Sequence, residues 1–226
     1  MRREFATSLV GSWVHRFEPC IYTISAKPPS LHVEVYDPET ALPHDVSNVS
    51  WDGTELTFRE FDAACGSYLQ HSVRPSVYGC DFAEHRLTIE EVWARDSEHA
   101  GPDLGLALLG SHTSSPVGVV PEALLSRAVP YGVWEPPASH VVFSVKLAPE
   151  GDFVVEGVDT SDGERLRIQD VIWHSPVLQF TAVTPSNGYA VKIELQQSAQ
   201  DVEHVHARVE LRDHLQRLLR EGVGPK

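Results

Sequence analysis

Two glutamates 122 positions apart, Glu34 and Glu156, are the first residues of this chain whose type and setting suggest chemistry. They sit in "HVEVYD" (32–37) and "VVEGVD" (154–159), runs with strand character. Side chains alternate along a strand, so Glu34 shares a face with Tyr36, and Glu156 shares one with Val158. On a face that lines an apolar cavity, burial would raise both carboxyl pKa values and suit them to proton transfer. On a solvent face they would complement neighbouring arginines. Asp37 and Asp159 close the same runs and are expected to cap turns. His204 and His206 in "EHVHA" lie on one strand face, and such an alternating pair can chelate a metal. No spacing singles out a third ligand among His85, His140 and His174, so the expectation is exposed histidines, no metal and no cofactor.

The aromatic residues that would shape a substrate around such carboxylates follow the same spacing. Val49, Trp51, Leu56 and Phe58 in "VSNVSWDGTELTF" return as Val171, Trp173, Leu178 and Phe180 in "IQDVIWHSPVLQF", each 122 residues later. From 31 to 66 the register needs no gap, and Gly66 falls on Gly188. A period this long is not that of a solenoid, whose repeats run roughly 20–50 residues. It fits an internal duplication of a small antiparallel meander. Trp51 and Trp173, each just before a turn, could fill the space between sheets or line a ligand cavity. Asp52-Gly53 predicts a two-residue type I′ hairpin.

The elements that would carry these residues are short runs rich in β-branched and aromatic side chains, separated by Pro, Gly and Asp turns. Residues 1–95 form a first meander and 131–226 a second. Between them, 96–130 is rich in Gly, Pro and Ser and reads as a connector, with short helices expected near 103–109 and 121–128. At the end, Leu211, Leu215, Leu218 and Leu219 are spaced as on the apolar stripe of an amphipathic helix, which is expected to pack by that stripe.

Bulk properties narrow the function. The chain has 226 residues, 42% of them hydrophobic, and a formal net charge of −14 from 32 acidic and 18 basic side chains. That field repels phosphate backbones and anionic membranes, so neither nucleic acid nor a membrane is an expected partner. Three cysteines, Cys20, Cys65 and Cys80, show no CxxC spacing and support no disulfide framework. No apolar run approaches the 18 or so residues of a membrane helix. The N-terminal apolar run is broken by Thr7, Ser8, Gly11 and Ser12, which makes a poor signal peptide, and a cytoplasmic protein is expected. No G-x-S-x-G, Walker A or Rossmann glycine motif occurs.

Both halves open with a G-x-W, Gly11-Ser12-Trp13 and Gly132-Val133-Trp134. This start, followed by a meander, resembles the lipocalin and calycin group of β-barrels. The resemblance implies an antiparallel barrel, or two packed half-barrels, holding a small apolar molecule. Some barrels of this kind catalyse cyclisation or isomerisation by shaping a substrate. The expected fold is therefore all-β, a duplicated antiparallel meander with a C-terminal helix. The first functional expectation is a protein that binds a small apolar or aromatic molecule between its halves through Tyr36, Trp51, Phe58, Trp173 and Phe180. A second is a cofactor-independent isomerase, cyclase or lyase such as a dehydratase, with Glu34 or Glu156 as acid or base. A third is an interaction protein that uses exposed strand edges, which leaves room for a homodimer.

Overall fold

The computed structural model describes residues 8–15, 20–28, 30–63, 66–77, 81–95, 130–137, 139–148, 151–198 and 201–218. The connector expected at 96–130, with its two expected helices, lies outside the described residues except for Pro130. Fourteen strands account for most of the rest. They are β1 (Gly11–His15), β2 (Ile21–Lys27), β3 (Ser30–Asp37), β4 (Leu42–Trp51), β5 (Leu56–Asp62), β6 (Ser67–Pro75), β7 (Phe82–Arg95), β8 (Gly132–Glu135), β9 (Val141–Leu147), β10 (Phe153–Asp159), β11 (Arg165–His174), β12 (Val177–Val183), β13 (Ala190–Ser198) and β14 (Asp201–Arg217). Period-two alternation explains them. In β3, Leu31, Val33 and Val35 are buried while Glu34 and Tyr36 face solvent.

Each strand pairs with its successor, β1 also pairs with β14, and β7 with β14. Every pairing whose register is defined is antiparallel, from β1–β2 to β7–β8. The chain divides into two compact units. The first comprises 1–89 and 210–226, the second 90–209. The first unit's core centres on Trp13, Tyr22, Ile24, Val33, Leu56 and Phe58. The second unit's core centres on Trp93, Trp134, Phe143, Leu178, Phe180 and Leu195.

The 122-residue repeat is carried into the backbone. The β4–β5 register shifts between Ser47 and Ser50, and the β11–β12 register shifts between Gln169 and Ile172. Within those bulges Asn48 and Asp170 share a φ of 53°. The two G-x-W starts are also alike. Trp13 Nε1 donates to Leu9 O at 2.8 Å, and Trp134 Nε1 donates to Pro130 O at 3.0 Å. Arg217 lies over the Trp13 ring at 4.7 Å and Arg95 over the Trp134 ring at 5.1 Å. Gly11 and Gly132 hold φ near +147° and +143°, a region side chains avoid, which explains the glycine of each motif.

Two local expectations need correction. The C-terminal helix is absent from the described residues: β14 runs to Arg217, with Trp13 opposite Arg217 and His15 opposite Leu215. The i, i+4 spacing of Leu211 and Leu215 is an even number, so it places both on one face of a strand as readily as on a helix stripe. Both are buried. Pairing with β1 satisfies the backbone here, and tertiary context outweighs the helix propensity of Leu, Arg and Gln. Leu218 is exposed, and Leu219 lies outside the described residues. The Asp52-Gly53 turn is also longer than a two-residue hairpin, because Trp51 pairs with Leu56 across four loop residues. Asp52 Oδ1 accepts from the Thr54 and Glu55 backbone N–H groups at 2.7 and 2.8 Å, an arrangement that holds the wider loop.

A polar interior in the first unit as candidate functional site

The residues expected to form a site are dispersed. Glu34 is 70% exposed and lies 3.3 Å from the exposed His32. Glu156 pairs with Lys146 at 2.7 Å. Tyr36 is exposed. Trp51 and Trp173 are partly buried against the cores of their own units, Trp173 beside Phe153 at 5.0 Å. Phe58 and Phe180 are fully buried. Glu34 and Glu156 belong to different units, and neither touches the aromatics named with it in any contact the structure shows. His204 and His206 are exposed, with His204 Nδ1 3.0 Å from Asp201. An open groove of ≈ 390 Å³ in the second unit is lined by Glu90, Val177, Glu194, His206 and Arg208 among others, and by none of the expected ligand residues.

The structure instead assembles ionisable groups inside the first unit. On β5 the inward face reads Leu56, Phe58, Glu60, and Glu60 is 1% exposed. On β6 it reads Leu69, His71, Val73, and β7 adds His85. Phe58 and His71 are cross-strand partners, their rings stacked at 4.4 Å. Each Glu60 oxygen meets an imidazole. Oε1 is hydrogen-bonded to His44 Nδ1, and Oε2 lies 3.0 Å from His71 Nε2. That second approach is an ion-pair contact whose direction makes no hydrogen bond. His71 Nδ1 then meets His85 Nε2 at 3.0 Å. His15 packs edge-on to His85 at 5.4 Å and lies 3.6 Å from Asp213. The Tyr22 ring stands 5.6 Å from His71 and 5.8 Å from His85.

Electrostatics orders this chain of groups. Burial holds the His85 pKa well below its ordinary value, and the neighbouring His71 and His15 push it the same way. His85 is therefore neutral. A neutral His85 shares one hydrogen bond with His71, in which one of His71 Nδ1 and His85 Nε2 donates and the other accepts. Among the described residues, Glu60 Oε2, His71 Nε2 and His85 Nδ1 are buried without a hydrogen-bond partner. At the outer end, His44 keeps 17% of its side chain in solvent, and the Cys20 thiol is half-buried. Ligand atoms of Cys20, His44 and Glu60 all lie within 4.8 Å of one another. Together they make a buried carboxylate held between two imidazoles, with a half-buried thiol beside it.

The second unit has no such interior at the matching places. Glu60 pairs with Leu69, and 122 residues on Ala182 pairs with Val191. His71 opposite Phe58 becomes Ile193 opposite Phe180. His44 opposite Val35 becomes Leu166 opposite Gly157. Tyr22 opposite Trp13 becomes Phe143 opposite Trp134. This signal was present in the sequence. Overlaying the repeat at an offset of 122 sets Glu60 on Ala182 and His71 on Ile193, polar against apolar on faces that alternation points inward. Attention to glutamates shared by both halves passed over the one that only the first half carries.

Among the described residues, the fold and site thus define an antiparallel β protein whose two units repeat one strand pattern, one around an apolar core and one with ionisable groups inside. No protein-family model, curated protein or solved structure matches the chain. No helix among the described residues is long and apolar enough to cross a membrane.

Proposed function

We propose that the first unit is the working half of the protein, an acid–base centre that binds a small molecule and moves a proton on it. The reaction class is isomerisation, cyclisation or dehydration. One observation carries this reading: Glu60 is buried between His44 and His71 where the duplicate places Ala182, Leu166 and Ile193. Burying an ionised carboxylate costs several kcal/mol even after relaxation, and a well-packed apolar interior is usually as stable or more so. The second unit closes the same pattern of strands with an apolar core, so the polar interior serves something other than folding. His44 and Cys20, at the outer end, are the groups a substrate would touch. Glu60 orients His44, and His71 positions Glu60. The finer likeness to lipocalins belongs to this proposal. It is supported by the repeated G-x-W starts, each with an arginine over its tryptophan, and it makes the ligand a small molecule held within strands. The interior it would meet favours a molecule with hydrogen-bonding groups over a purely apolar one. A cytoplasmic setting fits the Cys20 thiol.

The test is a panel of small metabolites, titrated while intrinsic fluorescence is followed and analysed for products by mass spectrometry. Saturable binding with conversion that His44→Gln abolishes, and that Glu60→Gln slows with a displaced pH profile, is the expected result. Saturable binding without product, unchanged by either substitution, would leave a binding protein whose site lies elsewhere.

A further inference from the structure

We propose that Cys20, His44 and Glu60 form a site for a divalent metal ion of the zinc class, open to one water or substrate atom. The inference rests on the site of the proposed function but not on its chemistry. Three facts converge on it. The three side chains offer one sulfur, one imidazole nitrogen and one carboxylate oxygen within 4.8 Å of one another. In a tetrahedral zinc site with bonds of about 2.0–2.3 Å, ligand atoms stand about 3.3–3.8 Å apart, so the wider separations close by about 1 Å and the direct His44–Glu60 contact opens by a similar amount to admit an ion. Glu60 Oε2 is buried and without a hydrogen-bond partner, and His71 Nε2 lies 3.0 Å from it. Once the other oxygen binds an ion, that is the arrangement in which an outer imidazole steadies a ligating carboxylate.

Charge points the same way. A thiolate and a carboxylate side by side in a largely buried position repel, and a divalent cation between them cancels both charges. The ion would take the place of the direct His44–Glu60 hydrogen bond. A mixed sulfur, nitrogen and oxygen set selects zinc or cobalt over magnesium or calcium, which take all-oxygen sites. Three protein ligands leave a fourth position, and a water there on zinc has its pKa lowered towards about 7.

Cobalt(II) titration of the chelator-treated full-length protein tests this without any substrate, so it can fail while the acid–base reading stands, and the reverse. One equivalent should bind, with a thiolate-to-cobalt charge-transfer band and the intense visible bands of a four-coordinate ion. Zinc should then bleach the colour and raise the melting temperature. Cys20→Ser should remove the charge-transfer band while the circular dichroism stays that of the folded protein. His71→Gln should keep the band and weaken binding about 10- to 100-fold, as outer-sphere changes do. A Cys65→Ser, Cys80→Ser double variant should keep the band. No stoichiometric binding by the unaltered protein, a band that survives Cys20→Ser, or a band lost with Cys65 and Cys80 would each overturn the assignment.

Discussion

The two units share a strand plan, a bulge and a tryptophan start, yet one has an apolar interior and the other an ionisable one. Phe58 and Phe180 are equivalent and both fully buried. Phe180 packs against Phe143 at 5.4 Å, and Phe58 stacks on His71 at 4.4 Å. The comparison separates what this pattern of strands needs from what the first unit adds. Strand alternation, the G-x-W start and the shared bulge occur twice and are structural. Glu60, His71, His44 and Tyr22 stand where the second unit has Ala182, Ile193, Leu166 and Phe143, so packing does not require them.

The largest effect should come from forcing the first unit's chemistry into the second. Ala182 is buried within the apolar cluster of the second unit. Ala182→Glu is expected to destabilise the protein by about 3–5 kcal/mol, the cost typical of an uncompensated buried charge. Urea unfolding measures it, provided the transition remains cooperative. Adding Ile193→His should recover part of the loss, because it restores the relation of Glu60 to His71. A cost for Ala182→Glu below about 1 kcal/mol would mean that this interior tolerates charge, and the contrast between the units would lose its functional meaning.

The converse exchange should act in the opposite direction and more weakly. Replacing His44, Glu60 and His71 by Leu, Ala and Ile copies the second unit into the first. Exchange of a buried ionic group for packed apolar residues is commonly neutral or stabilising by about 1–4 kcal/mol. The triple variant should therefore unfold at the same or higher denaturant concentration while losing ligand binding. The single change Glu60→Ala should be destabilising, since it strands two imidazoles. A triple variant markedly less stable than the parent would make the cluster a structural feature of the first unit.

A smaller effect should follow pH. His85 has a folded-state pKa below its ordinary 6.5, first through burial and then through His71 and His15. The unfolded chain thus binds a proton at this residue before the folded chain does. The stability it contributes is complete above 6.5 and falls as pH drops from 6.5 towards the folded pKa. The slope is at most about 1.4 kcal/mol per pH unit. Between pH 7 and 5 the protein should lose stability, and His85→Leu should flatten that stretch of the curve. An unchanged slope in His85→Leu would assign the acid sensitivity to other groups.

These contrasts also show which features could be read from residue order. Strands were legible because β-branched and aromatic runs alternate, and the repeat because Val49, Trp51, Leu56 and Phe58 return in register. The C-terminal strand was not, since leucines four apart satisfy a period of 3.6 and a period of 2 alike, and only pairing with β1 decides. Glu34 and Glu156 drew attention because both halves carry them, yet on a half-buried strand the glutamate between two valines faces water. That is where Val33 and Val35 leave Glu34. Glu60 was hidden by the same rule in reverse: standing two residues after Phe58 and four after Leu56 puts it inside. The link from His71 to His85 and then towards His15 needs strands far apart in sequence and had no local sign.

The smallest expected effect tests the part of the comparison in which the units agree. Asp37 Oδ1 accepts from the Glu39 N–H at 2.8 Å, and its Oδ2 accepts from the Thr40 hydroxyl at 2.8 Å. Asp159, 122 residues later, accepts from the Ser161 N–H at 2.9 Å and from its hydroxyl at 2.6 Å. These hydrogen bonds, led by Thr40 for Asp37 and by the Ser161 hydroxyl for Asp159, hold both carboxyls below their ordinary pKa. Each turn is thus stabilised at pH values above the ordinary 3.8 and loses that support as pH falls through the folded value. Both side chains are solvent-exposed, so Asp37→Ala and Asp159→Ala should each lower the melting temperature slightly and by similar amounts. The difference from the parent should shrink in acid for both. A much larger loss for one of them would show that the two copies of this turn, alike in geometry, are not alike in what they support.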